Sequence, residues 1–462
     1  MSNDTCKWES AVHPHKCNEP VLTSFRTYAE ISAPAQPHRY CILHSSRGDK
    51  DVHEFARKVE ERMRAPEKID LIDCHFPKDY DFTLCEGRTF DVPVHLSGAV
   101  FSRSSFNDAK FLKPVYFIGA TFANAAFRGV TFSQGAYFIG TKFWQEADFG
   151  RARFECEADF IGATFAQRAD FSGTSFSGET SFNNVVFSTS GRFFKSTFDD
   201  VTFTSTKFER GANFEQTAFS GCADFTRTEF RGWTRFIKIT KKMPWYGIFR
   251  YTLFSDNVTI QEVDLSRCSF LHSEIDKVDF RHCHFGEEKE YFLGFIPISR
   301  KNVLCDESTA KTNLDYDMTS RVYRDLVKNF DEKGDRYMAI DLFYGEMECR
   351  RKQMGRWGRS FSVHALSRQI TGYGVRFARS AFFICMLILV SCLFYRYHEG
   401  LKPGEAFNQS LFGINVLLAH VYHYSEKLSS LGIAYFCFEI VLGSFLTTSF
   451  VLILQRVFTP FK

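Results

Sequence analysis

Large apolar side chains recur along this chain at a spacing that fits neither a helix nor a flat strand. From Phe101 to Phe236 a phenylalanine returns every five or six residues, and most positions between them are small or polar. An amphipathic helix repeats about every 3.6 residues, and a half-buried strand alternates. The observed spacing is typical of a solenoid, in which each short face points one side chain inward before the chain turns a corner. The pattern therefore predicts a mainly β fold with stacked phenylalanine rings inside.

Two neighbouring copies show the repeat unit of eleven residues. Residues 158–168 (ADFIGATFAQR) and 169–179 (ADFSGTSFSGE) align over their whole length. A weaker run of large apolar residues begins at Leu71, and a run with a spacing of five ends at Phe285. The centre of the predicted repeat core consists of Phe154, Phe160, Phe165, Phe171, Phe176 and Phe182.

These repeats resemble the pentapeptide-repeat family in its phenylalanine-centred, eleven-residue variant. The resemblance implies a right-handed, four-sided (quadrilateral) β-helix with roughly 22 residues per coil. We place this β-helix at residues 67–286, with an insertion near 237–257, where the spacing breaks. The charged, helical pattern of residues 51–66 predicts an amphipathic helix that caps the open end of the solenoid.

The polar head at residues 1–50 contains cysteine and histidine at metal-ligand spacing. Cys41 and His44 are three positions apart, and Cys6 and Cys17 would complete a tetrahedral, structural zinc site. The surrounding sequence YCILHS resembles short zinc-binding heads that precede pentapeptide repeats in related proteins. The alternative is that these four residues are unrelated. The same segment also offers other nitrogen ligands: His13, His15 and His38.

The sequence of residues 287–375 predicts a helical, basic juxtamembrane linker. Apolar residues at helical spacing on both sides of Gly334 predict an αα-hairpin within residues 318–353. The sequence of this stretch closely resembles a linker found in membrane-anchored pentapeptide-repeat proteins. Glu346 and Glu348 are two positions apart, so they point away from each other on a helix and are expected on a solvated face.

Residues 376–462 predict a membrane domain with two spans. Eight basic residues and no acidic ones lie between positions 350 and 379, and an uncharged apolar run follows at 380–395. A second apolar run, 428–455, is interrupted only by Glu439. By the positive-inside rule both termini lie in the cytoplasm, which predicts a two-span protein of the inner membrane with lipid as a partner. A buried pair of soluble helices is the alternative.

A third apolar stretch, Phe407–Leu418, lies between the predicted spans and is too short to cross a bilayer. The order helix, re-entrant segment, helix resembles the two-helix pore domain of potassium channels, and Glu439 before Gly443 resembles that family's Glu-x-x-x-Gly pattern. The departure is that residues 419–432 lack the Thr-x-Gly-Tyr/Phe-Gly filter. The candidate pore residues, which an interfacial position would explain equally well, are His420, Tyr422, His423, Tyr424 and Glu439.

The amino-acid composition and the distribution of charge exclude some classes of function. The 462 residues carry a net charge of +3, which gives no general attraction to nucleic acid. A DNA-mimicking rod would need a strongly acidic solenoid, whereas the repeats mix charges, as at residues 151–153. The 14 cysteines are scattered, and the N-terminus is polar, so we expect a reducing compartment.

Two functions remain after these exclusions. The first is a cytoplasmic scaffold, sensor or gate coupled to an ion-channel-like membrane domain that forms a homo-oligomer. The second is a membrane-tethered scaffold that does not conduct and binds an unidentified protein on the β-helix. We find no nucleophile elbow, phosphate loop or paired carboxylates, so we expect no enzyme, no catalytic residues and no organic cofactor.

Overall fold

The computed structural model describes residues 42–46, 50–239, 245–414 and 428–458. The chain divides into two compact units, Met1–His284 and Phe285–Lys462. The first contains a β-solenoid of about nine turns, and the second contains a β-hairpin followed by helices. The predicted fold class is confirmed.

Four parallel sheets form the sides of the solenoid, because each coil contributes one short strand to each side. Pairing is in register from coil to coil: Phe132 lies beside Phe154, and Phe154 lies beside Phe176. The first side consists of Ile69–Asp70, Val94–His95, Val115–Tyr116, Ala136–Tyr137, Ala158–Asp159, Thr180–Ser181, Val201–Thr202, Cys222–Asp224, Tyr246–Ile248 and Cys268–Ser269. The second consists of Val100–Phe101, Thr121–Phe122, Lys142–Phe143, Thr164–Phe165, Val186–Phe187, Lys207–Phe208, Glu229–Phe230 and Leu253–Phe254.

The other two sides complete each coil in the same way. The third consists of Asp81–Phe82, Arg103–Ser105, Ala125–Ala126, Ala147–Asp148, Ala169–Asp170, Gly191–Arg192, Ala212–Asn213, Thr234–Ile237, Val258–Gln261 and Asp279–Arg281. The fourth consists of Thr89–Phe90, Lys110–Phe111, Thr131–Phe132, Arg153–Phe154, Ser175–Phe176, Thr197–Phe198 and Ala218–Phe219.

Stacked aromatic rings fill the solenoid. Phe143 and Phe165 lie 4.7 Å apart between ring centroids with 1° between their planes, and Phe160 stacks on Phe182 at 4.8 Å. Rings within a coil meet edge to face instead, as Phe160 and Phe171 do. Both arrangements are favourable for aromatic pairs. Six rings at the centre of the stack are 1% exposed or less: Phe154, Phe160, Phe165, Phe171, Phe176 and Phe182.

Helix α1 (Val52–Met63) covers one end of this aromatic stack. The Asp51 side chain caps the helix by accepting from the backbone N–H groups of His53 and Glu54. Phe55 is buried and meets the ring of Phe76 edge to face at 5.3 Å. The exposed end of the stack is thereby removed from water.

The break in spacing near residues 237–257 leaves most of the coil in place. Strands Tyr246–Ile248 and Leu253–Phe254 continue the first and second sides. Trp245 is 4% exposed and stacks on Phe219 at 5.2 Å, so an indole takes the position of a phenylalanine ring. The insertion is therefore shorter than the one expected from the sequence.

The second unit begins with a β-hairpin, where the sequence had suggested a helical linker. Strand Gly286–Phe292 pairs in antiparallel fashion with Ile296–Val303. Helices follow in the order α2 (Cys305–Thr309), α3 (Asn313–Glu332), α4 (Arg336–Gln353), α5 (Arg356–Phe361), α6 (Val363–Ile370), α7 (Phe377–Tyr397), α8 (Pro403–Ile414) and α9 (Ser430–Phe458).

Two sequence features explain the local structure of α3 and α4. Thr312 and Asp315 form a capping box at the start of α3. Gly334, with a φ of +79°, lies between α3 and α4, where a left-handed residue allows the turn of an αα-hairpin. The two helices then pack along each other.

Two of the helices are long and apolar enough to cross a membrane: Phe377–Tyr397 and Ser430–Gln455. The shorter α8 packs against both. Leu387 of α7, Ile414 of α8 and Leu446 of α9 form one buried cluster, so the three helices share a core.

Candidate functional site: a buried carboxyl group and an ion cluster

Glu439 of α9 lies where α7, α8 and α9 meet, and its side chain is completely buried. The Tyr395 hydroxyl donates to Oε2 at 2.8 Å, and the Ser410 hydroxyl donates to Oε1 at 2.9 Å. Each of the other two helices therefore supplies one donor to this carboxyl group. Since a buried carboxyl group is costly unless it is hydrogen-bonded, these two bonds hold the three helices together.

Two glycines allow α8 to approach α9 closely around this carboxyl group. A Cβ atom on Gly413 would lie 2.6 Å from Cδ of Glu439. A Cβ atom on Gly443 would lie 2.7 Å from Cα of Ile414. Small residues at such crossings are typical of helices that pack in membranes.

Further hydroxyl groups surround the Glu439 site. Tyr435 and Ser391 share a hydrogen bond of 3.2 Å between their hydroxyl oxygens, and the Tyr435 ring stacks on Phe394 at 4.1 Å. Within the described ranges, no lysine, arginine or histidine forms an ion pair with Glu439. The carboxyl group therefore acts as a hydrogen-bonding centre between three helices, with hydroxyl groups as its donors.

Apart from His44, the other predicted metal ligands and pore residues lie outside the described residues. This applies to the pore candidates His420, Tyr422, His423 and Tyr424, and to the zinc ligands Cys6, Cys17 and Cys41. The fourth ligand, His44, is buried, with Nε2 3.2 Å from the carbonyl oxygen of Ile72. The described part of the chain contains no group of three or more side chains that could hold a metal ion. Zinc binding therefore stays a prediction.

The linker contains a second site that the sequence analysis missed. We call it the linker ion cluster: Glu290, Arg300, Glu307, Glu348, Arg368 and Arg379. Arg300 is 2% exposed, and its Nη1 and Nη2 atoms bind the two carboxylate oxygens of Glu307 at 2.7 and 2.6 Å. The Tyr323 hydroxyl and the Lys352 ammonium add bonds of 2.7 and 2.8 Å. Burial alone would raise the pKa of Glu307, but Arg300 and Lys352 lower it overall.

Glu348 has an equally dense set of donors. Tyr373 donates its hydroxyl at 2.8 Å, Arg351 Nε donates at 3.1 Å, and Arg368 Nε lies 3.4 Å away. Burial works to raise the pKa of Glu348, but the bond from Arg351 and the charge of Arg368 outweigh it and lower the pKa to about 2. The carboxylate is therefore held in its charged form.

The expectation that Glu346 and Glu348 lie on a solvated face was wrong. Their exposed fractions are 5% and 2%. Glu346 accepts from Arg324 at 3.1 Å and from Arg350 at 2.7 Å. Arginines of α4 itself and of neighbouring helices pair with both carboxylates, which are thereby neutralised within the unit.

Glu290 connects the hairpin to the first apolar helix. It accepts from the Tyr344 hydroxyl at 2.8 Å, and both Arg368 and Arg379 lie 3.7 Å away. Arg379 is the third residue of α7. Six of the eight basic residues between positions 350 and 379 pair with carboxylates of this unit: Arg350, Arg351, Lys352, Arg368, Arg376 and Arg379.

One sequence signal could have revealed the cluster. In the second hairpin strand, Ile296, Ile298 and Arg300 occupy alternate positions and therefore share a face. A charged residue that follows two apolar ones on the same face predicts a buried charge, which requires a partner.

Comparison with known proteins identifies the solenoid alone. Residues 96–142, 117–164 and 138–186 match the family model described as pentapeptide repeats (9 copies). The chain therefore contains pentapeptide repeats, as the sequence predicts. None of the curated proteins and none of the solved structures gives a significant match. The likeness of residues 376–462 to a channel pore stays a prediction.

Proposed function

We propose that this protein is a membrane-tethered pentapeptide-repeat scaffold or sensor, coupled to a two-helix, ion-channel-like domain without a recognisable potassium filter. The observation that carries the proposal is the Glu439 site. It holds α8 between two helices that are long enough to cross a membrane. The apolar stretch 407–418 of the sequence, in which α8 lies, is too short to span a bilayer and suits a re-entrant segment.

The surfaces of the two long helices support a membrane location and a homo-oligomer. Leu389 of α7 is 61% exposed, and Val441 of α9 is 72% exposed. Such side chains need lipid or further copies of the chain as neighbours. A pore of this kind forms between several copies. We place both termini on the cytoplasmic side of the inner membrane, because basic residues flank both spans.

The linker ion cluster supports coupling between the linker and the membrane helices. Its charges connect the hairpin, α4, α6 and the start of α7 within one buried network. A displacement of the hairpin would separate Glu290 from Arg379, and a buried charge without a partner is costly. The hairpin and the first span should therefore move together. We further propose that the protein has no enzyme activity and that its solenoid binds a protein partner.

Conductance of the purified full chain in planar bilayers tests the proposal. We expect currents with little preference between potassium and sodium. Glu439→Gln should change the current, because the carboxyl group that holds α8 is altered. Glu405→Gln, on the same α8, is the matched control. Strong potassium selectivity would contradict our interpretation of residues 419–432.

Labelling of single cysteines tests the topology. In a chain without native thiols, a cysteine replacing Glu405 should react with an impermeant reagent added outside the cell. A cysteine replacing Ser308, which is exposed in the linker, should not react until the membrane is opened. Labelling of both positions from outside would contradict the proposed orientation.

The alternative is a scaffold that is anchored but does not conduct. The missing filter motif in residues 419–432 favours it. Inserted oligomers that carry no current under any condition would support this alternative.

A further inference from the structure

The short helices α5 and α6 present large apolar side chains to the outside. Trp357 is 79% exposed, Phe361 80% and Val363 82%, and the rings of Trp357 and Phe361 stack at 5.9 Å. Leu366, also on α6, is 59% exposed. Isolated apolar side chains are ordinary on protein surfaces, but a contiguous patch of this kind marks an interaction surface.

A groove between α6 and α9 adjoins this patch. Its volume is about 390 Å³. Val363, Leu366 and Ile370 line one wall, and Phe445 and Leu452 line the other. The second wall belongs to the part of α9 that is apolar enough to span a membrane. The medium that surrounds that part of α9 must therefore also reach the groove.

The position of the patch in the chain indicates that it has the same surroundings as the apolar part of α9. Helix α6 ends at Ile370, and the candidate span α7 begins at Phe377. The six residues between them, with seven steps from Cα to Cα, can extend over at most about 25 Å. The apolar faces of α5 and α6 are therefore tethered near one end of a helix that crosses the bilayer.

We propose that α5 and α6 lie in the interface of the bilayer, with Trp357 and Phe361 at headgroup depth and a lipid acyl chain in the groove. This inference rests on the membrane location proposed above. Amphipathic helices with Trp and Phe on one face bind bilayer interfaces in this way. Arg351, Lys352 and Arg368, around α5 and α6, are already paired with carboxylates, so we expect apolar area to supply most of the attraction.

Fluorescence quenching by lipid tests the position of Trp357. The full chain would keep Trp357 as its only tryptophan, with Trp8, Trp144, Trp233 and Trp245 changed to phenylalanine. In phosphatidylcholine vesicles with brominated acyl chains we expect a loss of Trp357 fluorescence relative to unbrominated vesicles. A chain that keeps only Trp144, which is 55% exposed on the solenoid, should show no loss.

A reporter within α7 separates this inference from the proposed function. Leu389→Trp in a chain without other tryptophans should be quenched if α7 lies in the bilayer. Quenching of that reporter without quenching of Trp357 overturns the interfacial position and leaves the membrane location intact. Absence of quenching at both sites, or failure of the chain to float with vesicles, contradicts both proposals.

Two further measurements address the groove and the role of charge. Leu366→Trp, as the only tryptophan, should be quenched by bromine if an acyl chain fills the groove. Cross-linking of position 366 to a second copy without quenching would show that protein covers the groove, which overturns that part of the inference. Brominated vesicles with added phosphatidylglycerol should give the same loss of Trp357 fluorescence. A loss that requires anionic lipid and disappears in salt would contradict the apolar basis of the contact.

Discussion

The centre of the solenoid is packed with aromatic rings, whereas the centre of the linker in the second unit contains paired charges. Neighbouring coils of the solenoid meet through phenylalanine rings such as Phe143 and Phe165, and each inner coil pairs with the coil before it and the coil after it. The linker instead buries Arg300, Glu307 and Glu348 among tyrosines. Loss of one ring leaves a local cavity in a repeated stack. Loss of one charge leaves its partners buried and unpaired, so a single change affects the whole network.

Removal of Arg300 should have the largest effect on the helical unit. Arg300→Met leaves Glu307 without its bidentate partner and weakens the surroundings of Glu290. We expect a loss of about 3–5 kcal/mol in local stability. Hydrogen exchange of peptides from α3 and α4 in the full chain would measure it. Arg103→Met, which breaks an exposed pair with Asp81 on the solenoid, is the control and should cost less than about 1 kcal/mol. Equal effects of the two changes would remove the contrast between the units.

A cavity in the solenoid should lower the stability by about as much, but the effect should be confined to the coils around the cavity. Phe165→Ala removes a fully buried ring that stacks on Phe143 and Phe187. We expect a loss of about 3–5 kcal/mol from the cavity. Exchange should increase in the adjoining coils and remain unchanged in α3 and α4. Ile161→Ala, at a partly exposed corner of the same coil, is the control. Unchanged exchange around position 165 would contradict the buried stack.

As the pH is lowered, the linker should lose stability at a higher pH than the solenoid does. The pKa of Glu348 is lowered in the folded protein from 4.5 to about 2. The ionised form therefore stabilises the fold above about pH 4.5, and this contribution is lost as the pH falls toward 2. We expect faster exchange in α4 across that window and little change in the aromatic stack. Glu348→Gln should show a smaller dependence on pH in the same range. If exchange in α4 depends on pH equally in the unaltered chain and in Glu348→Gln, other carboxylates cause the effect.

The Glu439 site should show the smallest of these effects. Tyr395→Phe removes one hydroxyl donor to the carboxyl group and keeps the ring. We expect a loss of about 1–3 kcal/mol in the stability of the packed helices. Thermal unfolding of the full chain in detergent would measure it. Tyr397→Phe, two residues along α7 and 83% exposed, is the control. The same melting temperature in both variants would show that the hydrogen bond contributes little.

The sequence by itself determined the elements whose signals are local. The phenylalanine spacing predicted the solenoid, because each coil packs on the coil that follows it in the chain. The apolar runs likewise predicted two long helices, and Gly334 predicted the turn of an αα-hairpin. Propensity and periodicity suffice where neighbours in space are also neighbours in sequence or in the repeat.

The tertiary structure alone decided which charges are buried together. Glu290 and Arg379 lie far apart in the chain, and Glu439 takes its donors from residues 44 and 29 positions away. In the sequence, Glu348 and the basic segment after it are equally compatible with a solvated surface. Only the packing of other elements against one side of α4 removes water from Glu348, and without water this charge must find a partner in the protein.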